Sequence, residues 1–281
     1  MPSGQFDCKI LMQRSRVNCI AASLIFLKGD PKNTEMLKEN IYRELTVIQG
    51  KIISGQELAD AHDVSRTAVW KAVRSLQEEG YPVESVGKKG YRIAPGSDVL
   101  TADGIRAYLD DPNALRLCLY RRLDSTNAQA ERMIADGFHG SALIASEEQT
   151  RGRGHHQSAF DSPAAAGLYM TLLLPLRVPF SEVADIGRLA GQAVLSSIRT
   201  FSDHDFHIEK ISDIYDGDQK ISGVLCEIFA TDLESGCTDM VIAGIGIHLD
   251  TLKNAVTRDR LAAVVTNQLL ASFKARFCSP A

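Results

Sequence analysis

ASEEQTRGRGHHQSAFDSPAAAGLYMT, residues Ala145 to Thr171, is the stretch on which the reading of this chain turns. An apolar run, Ala142-Leu143-Ile144-Ala145, enters it with the character of a strand, and Leu168-Tyr169-Met170 leaves it in the same way. Between the two lies a loop that alternates arginine with glycine (Arg151-Gly152-Arg153-Gly154) and then carries a histidine pair. Glycine lets a backbone come close to a ligand and adopt positive φ, while exposed N–H groups and guanidinium forks supply donors for an anion. Alone, such a loop is more often a solvated basic turn. Its surroundings decide.

Outward from this stretch, residues 98–281 alternate strand-like runs with helical ones. Leu117–Tyr120, Ala142–Ala145, Leu168–Leu174, Gly223–Phe229 and Met240–Ile247 read as strands; Thr126–Ile134, Val183–Arg199 and Arg258–Phe277 read as helices. That alternation predicts an α/β (α+β) fold, a sheet with helices packed on it. Pro95-Gly96-Ser97 reads as the linker to a smaller unit before it.

That smaller unit, residues 35–95, is helical. Thr34 is a candidate cap for a helix with Leu37, Ile41, Leu45 and Ile48 on one face. Ser54 and Glu57 form a capping box for a short second helix, which His62-Asp63 ends. Ser65 caps a third, RTAVWKAVRSLQEEG, with Val69, Val73 and Leu76 facing inward and Gly80 ending it. Two strand-like pieces then flank a lysine-bearing tip, Gly87-Lys88-Lys89-Gly90. Three helices and a basic hairpin make a winged helix-turn-helix, whose third helix enters the major groove while the hairpin touches phosphates. Ser65, Arg66, Thr67, Trp70, Lys71 and Arg74 on that helix, with Lys88 and Lys89 on the wing, are the candidate DNA contacts. A solvated helix face is the competing reading. The ordered co-occurrence of cap, helix and wing outweighs it.

Composition limits the alternatives. The 281 residues have room for two domains. A net charge of −4 and a pI near 6.0 argue against general coating of nucleic acid, so DNA contact must come from a local patch. The six cysteines are scattered without CxxC spacing, which suits reduced cytosolic thiols and supports neither a disulfide framework nor a protein-held metal. Val17–Leu27 is too short to span a bilayer and lacks a cleavage site. Residues 1–34 are therefore expected to be a poorly ordered extension, with Met36 an alternative start.

Ser54–Ile93 nearly reproduces SGxxLAxxxxVSRTAVWKxVxxLxxxGxxVxxxxxxGYxL, and so resembles the N-terminal domain of the bifunctional biotin operon repressors. Three later pieces resemble the catalytic domain of biotin protein ligases, in the family's order. Asp124-Ser125-Thr126-Asn127 stands where the family has DSTN. The opening stretch matches EEQTAGRGRRGRxWxSPxGxGLYMS in register. Ser212-Asp213-Ile214-Tyr215, Lys220-Ile221-Ser222-Gly223 through Glu227, and Gly244-Ile245-Gly246-Ile247 match KWPNDLYxxxxKLxGILxE and GxGIN.

The resemblance implies an ATP-dependent biotin–[biotin carboxyl carrier protein] ligase acting through biotinyl-5'-AMP with Mg2+. It also implies a cytoplasmic, biotin-responsive repressor that binds operator DNA as a homodimer. It makes Arg153, Lys220 and Asp213 catalytic. The biotin set is Ser125, Thr126, Asn127, Gln149, Gly152, Arg153, Gly154, His155, Lys220, Gly223 and Gly244, and the nucleotide set His155, His156, Phe160 and Ser212. The chemistry suits these types, since a carboxylate and a phosphate must be neutralised and positioned together. Without the register, Lys220 would read as a solvated hairpin lysine, Asp213 as a turn residue and Ser125 as a helix cap.

The departures fall on the nucleotide side. His155-His156-Gln157-Ser158 replace the arginine cluster RRGR, and histidine is mostly neutral at pH 7. Slower adenylate formation, improving below about pH 6.5, is the expectation. Ungapped matching puts Glu209, Lys210, Ile211 and Ser212 on KWPN, so Lys210 stands one residue late and on a strand faces the wrong way. His248 replaces the Asn of GIN, and no strand run for the family's C-terminal β-barrel follows Arg258–Phe277. A biotin-sensing regulator with weak or lost ligase activity is the alternative, and lipoate or octanoate transfer a more distant one.

Overall fold

The computed structural model describes residues 34–278, apart from 49, 155–157, 165, 231–232 and 253–254. The N-terminal extension and the histidine pair therefore lie outside the described residues.

Helix α1 (Thr34–Val47), α2 (Gly55–Ala61) and α3 (Arg66–Glu78) pack through Leu37, Ile41, Leu45, Leu58, Val69 and Leu76, all buried. The spacing of these apolar positions made the helices. Thr34 is the first residue of α1 and not its cap. Ser54 Oγ accepts from Glu57 N and the Glu57 carboxylate accepts from Ser54 N, closing the capping box. Asp63 turns the chain in the left-handed region (φ 51°), and Ser65 Oγ accepts from Ala68 N to start α3. Strands β1 (Val83–Ser85) and β2 (Tyr91–Ile93) form the wing, with Ile53 bridging to Tyr91 as a third edge. Gly90 (φ 137°) has to be glycine, because a Cβ there would lie 2.0 Å from the Ile53 carbonyl oxygen.

After the short α4 (Ala102–Arg106) comes one seven-stranded mixed sheet. In chain order it contains β3 (Arg116–Leu123), β4 (Ala142–Gln149), β5 (Gly167–Leu174), β6 (Phe206–Glu209), β7 (Asp213–Asp216), β8 (Gln219–Phe229) and β9 (Met240–His248). Their lateral order is β3-β4-β5-β9-β8-β7-β6; β3 and β4 are parallel and every other pair is antiparallel. Helix α5 (Thr126–Ala135) covers one face through Ala130, Met133 and Ile134. Helices α6 (Val183–Arg199) and α7 (Arg258–Phe277) cover the other through Ile186, Val194, Leu261 and Leu269. A strand buried on both faces reads as a continuous apolar run, as β5 and β9 do.

β6 and β7 were missed by periodicity. They are four residues each and contain His207, Glu209, Asp213 and Asp216, too short and too polar to show a period.

The winged module meets the sheet through buried charge. Arg121 on β3, its side chain 1% exposed, donates to Glu79 at 2.9 Å and lies with its guanidinium 5.0 Å over the Tyr81 ring. The Glu39 carboxylate accepts from Arg121 N, and Tyr81 Oη donates to Glu148 at 3.0 Å. Arg258 of α7 pairs with Glu147, whose other oxygen accepts from Leu100 N. Such buried pairs specify an orientation more than they add net stability.

Candidate functional site

The cleft floor is set by strand register. Thr171, Gly244 and Leu225 form one lateral row across β5, β9 and β8; Tyr169, Gly246 and Gly223 form the next. Glycines in these rows sink the floor, and two protein groups enter the trough. A Cβ on Gly244 would lie 2.1 Å from Asn127 Oδ1, and one on Gly246 would lie 2.3 Å from the Phe160 ring. Gly244 was expected to make room for a ligand. It makes room for Asn127 as well.

What remains is an open cleft, lined by Ser125, Thr126, Asn127, Gln149 and Arg153 on the α5 side and by Asp213 and Lys220 toward the β7–β8 hairpin. The first end is held by hydrogen bonds. Ser125 is the N-cap of α5, and Asp124 accepts from Ser125 N at 2.8 Å while taking both guanidinium nitrogens of Arg132 at 2.9 and 2.7 Å. That paired hydrogen bond pulls the Asp124 pKa down to about 2. Thr126 donates its N–H and hydroxyl toward Gln149 Oε1 at 2.8 and 3.1 Å, and Gln149 Nε2 donates to Ser162 Oγ at 3.0 Å. Thr171 Oγ1 donates to Asn127 Oδ1 at 2.6 Å, and Asn127 Nδ2 donates to Glu227 at 2.7 Å. Ser125, Thr126, Asn127 and Thr171 are all buried. The cap role and the pocket role of Ser125 coincide, because its oxygen accepts from the helix while its proton is left for another acceptor.

Ion pairs flank the cleft on both sides. The Lys220 ammonium is 2.7 Å from Asp213 Oδ1. Arg153 contacts Glu131 of α5 at 2.8 Å and Glu227 of β8 at 3.7 Å. Partial burial works to lower the Arg153 pKa, but the Glu131 hydrogen bond and the Glu227 charge outweigh it, and the net shift is upward. Asp213 is a buried residue at the start of β7 and so is not a turn residue. Phe160 stacks on His248, ring centroids 5.0 Å apart at 17°.

The basic loop folds back on itself: Phe160 N donates to Gly152 O, Gly154 N donates to Ser158 O, and Arg153 bridges to Ala159. Gly152 is absent from the cleft lining. It serves this closure, since a Cβ there would lie 2.2 Å from Phe160 O. Ser212 is also absent from the lining; its hydroxyl donates to Val224 O at 2.9 Å, because β7 turns it toward the sheet and α6. Gly154, Phe160, Gly223 and Gly244 do line it. His155 and His156 lie outside the described residues. Ser162 and Glu227 lay inside the matched motifs without an assigned role, and Thr171 and Glu131 were not singled out from sequence. A lone threonine in the apolar run of β5 was the available signal for Thr171.

On the winged module, Ser65, Arg66, Thr67, Trp70, Lys71 and Arg74 form one exposed face of α3, and Lys88 and Lys89 are exposed at the wing tip. Ser65 is also the cap. Arg74 is already engaged, 2.8 Å from Glu78 and 5.5 Å over Trp70.

A winged helix-turn-helix fused to a mixed sheet with a polar, partly cationic cleft defines a helix-turn-helix protein carrying an α/β domain. Residues 38–92 match the HTH domain model, and residues 119–247 match the model of the biotin/lipoate A/B protein ligase family. It is 31% identical over 219 residues to the bifunctional ligase/repressor BirA of Bacillus subtilis (strain 168), covering 78% of this chain and 66% of that protein. To the protein of the same name from Escherichia coli (strain K12) it is 27% identical over 200 residues, 71% of this chain and 60% of that one. The chain thus spans between 60% and 66% of the length of these relatives. The solved biotin protein ligase from Aquifex aeolicus in complex with biotin and ATP superposes with a TM-score of 0.45 at 21% identity, over 57% of this chain and 70% of that chain.

Proposed function

We propose that this protein is an ATP-dependent ligase that joins biotin to a lysine of a biotin carboxyl carrier protein, and that its winged module is a biotin-responsive operator-binding repressor. The observation that carries the reading is one cleft with a rigid hydrogen-bonding end and a cationic end. Ser125, Thr126, Asn127 and Gln149 hold the polar ring of biotin, with Gly154, Gly223 and Gly244 shaping the wall. Arg153 and Lys220 draw the biotin carboxylate and the α-phosphate together. The carboxylate oxygen attacks phosphorus and pyrophosphate leaves. The carrier lysine, its proton taken by Asp213, then attacks the acyl carbon and AMP leaves. Phe160 offers its face to the adenine.

Among the described residues no three His, Cys, Asp or Glu come together to hold a metal ion. Mg2+ enters this reading with the phosphates of ATP, as substrate. No described helix is long and apolar enough to cross a membrane; the reading makes the protein cytoplasmic and a homodimer on DNA.

A specific observation favours a second reading, a biotin-sensing regulator with weak ligation. Arg153 and Lys220 already face carboxylates, which an incoming anion must displace. Incorporation of labelled biotin into an acceptor carrier domain with ATP and Mg2+ separates the two. Transfer supports the ligase. Tight biotin binding without transfer supports the regulator.

A further inference from the structure

Asn127 carries a carboxamide, whose oxygen only accepts hydrogen bonds and whose nitrogen only donates them. Which of the two is offered to a ligand depends on what the other is tied to. Here the tie has one direction. Nδ2 faces two groups that can only accept, the Glu227 carboxylate at 2.7 Å and the Leu225 carbonyl at 3.3 Å, so both of its protons are used. Oδ1 accepts from Thr171 Oγ1 at 2.6 Å and retains a second lone pair.

Strand β8 brings this about. Leu225 and Glu227 stand two residues apart and so share the face of the strand on which Asn127 rests. Leu225 pairs in register with Gly244 of β9, which has no side chain to fill the space above it. Oδ1 of Asn127 takes that space, 2.1 Å from where a Cβ would be. Asn127 and Gly244 line the cleft; Glu227 does not.

Glu227 has a second neighbour. Arg153 Nη2 lies 3.7 Å from the same carboxylate oxygen, too far for a hydrogen bond, and Arg153 already contacts Glu131 at 2.8 Å. With side chains 38% and 31% exposed, an ion pair this loose contributes little. The bond from Asn127 is short, its donor belongs to a buried residue, and its acceptor is charged. It is the stronger of the two.

Resting on the function proposed above, we propose that Glu227 is a positioning residue for recognition of the biotin ring. It acts through Asn127. By holding the amide nitrogen away from the cleft floor, it makes position 127 a hydrogen-bond acceptor, matched to a ring N–H. A reversed amide would set its own protons against that N–H. Ser125, whose proton is left for another acceptor, supplies the donor that a ring carbonyl needs. An acceptor and a donor in one cleft suit a group that carries N–H beside C=O.

Glu227→Leu and Glu227→Gln test this. Leucine offers Nδ2 no acceptor, whereas glutamine restores an acceptor oxygen without the charge. Calorimetry on the full-length protein should show the Kd for biotin rising about tenfold or more in Glu227→Leu, as loss of a charge-assisted hydrogen bond implies. Glu227→Gln should recover most of that affinity. In nitrogen-15-labelled protein the Asn127 side-chain amide resonances should move in Glu227→Leu and stay close to their wild-type positions in Glu227→Gln. Unchanged biotin affinity in Glu227→Leu overturns the proposal. So does a Glu227→Gln variant that binds as weakly as Glu227→Leu, which would assign the effect to the charge facing Arg153. Weakened binding with the Asn127 resonances unmoved overturns it as well, because the loss then does not pass through the amide. A wild-type protein that binds no biotin defeats the proposed function and this assignment with it. A wild type that binds biotin no better than Glu227→Leu defeats the assignment alone.

Discussion

The two ends of the cleft are held in opposite ways. On the α5 side, buried Ser125, Thr126, Asn127 and Thr171 and half-buried Gln149 are held by hydrogen bonds to one another and to the helix. Toward the β7–β8 hairpin, Lys220 is a long, more exposed side chain paired with Asp213. A buried hydrogen-bonded network cannot rearrange without leaving polar atoms unsatisfied. An exposed ion pair exchanges partners at little cost. On the function proposed above, the first end recognises one neutral polar group and the second trades a protein carboxylate for a substrate anion.

The comparison can be broken most sharply at Lys220. Lys220→Ala should lower biotin transfer by about a hundredfold or more, as removal of a preorganised charge donor does, with DNA affinity of the winged module unchanged in a gel-shift titration. Surviving transfer would mean that Arg153 alone neutralises the reacting groups. At the other end, Thr171→Val leaves Asn127 Oδ1 without its buried donor, a cost of about 1–3 kcal/mol. Biotin affinity should then fall roughly tenfold or more with ATP affinity little changed. Equal losses for both ligands would show that the two ends are not separable.

Salt gives a smaller and more general effect. Raising ionic strength from about 0.05 to 0.5 M should weaken ATP binding several-fold by screening the exposed pairs, and biotin binding much less. The smallest effect is in acid. Asp124 is held at a pKa of about 2, below its unfolded value near 3.9. Its contribution is complete above pH 4 and is lost as pH falls from about 4 to 2. Asp124 and Arg132 are both substantially exposed, so the loss is modest. Biotin affinity should consequently stay level from pH 8 to pH 4.5; a fall within that range would implicate another group at the acyl end.

The legible parts of the site were those carried by local pattern. DSTN, the Gly-Arg loop and the strand pair around it were readable because caps, glycine punctuation and two-residue alternation are written in adjacent residues. Val183–Arg199 and Arg258–Phe277 were read with the bounds of α6 and α7, since long periodic segments are the plainest signal. Two residues expected in the site lie behind its lining: Gly152 closes the loop on itself and Ser212 turns to the sheet.

By itself, then, the sequence determined the two modules, the order of their elements and the residue types at each end of the cleft. These depend on interactions between near neighbours, whose geometry the helix and strand periods dictate. The tertiary structure alone decided which groups face one another: Thr171 with Asn127, Glu131 and Glu227 with Arg153, and two lysines with one buried aspartate. Most of those pairs join residues far apart in the chain, and Lys210 and Lys220, close to Asp213 in sequence, meet it only through the hairpins on either side. Their meeting follows from strand register, from a left-handed turn and from glycines that let backbones approach, none of which has a one-dimensional signature.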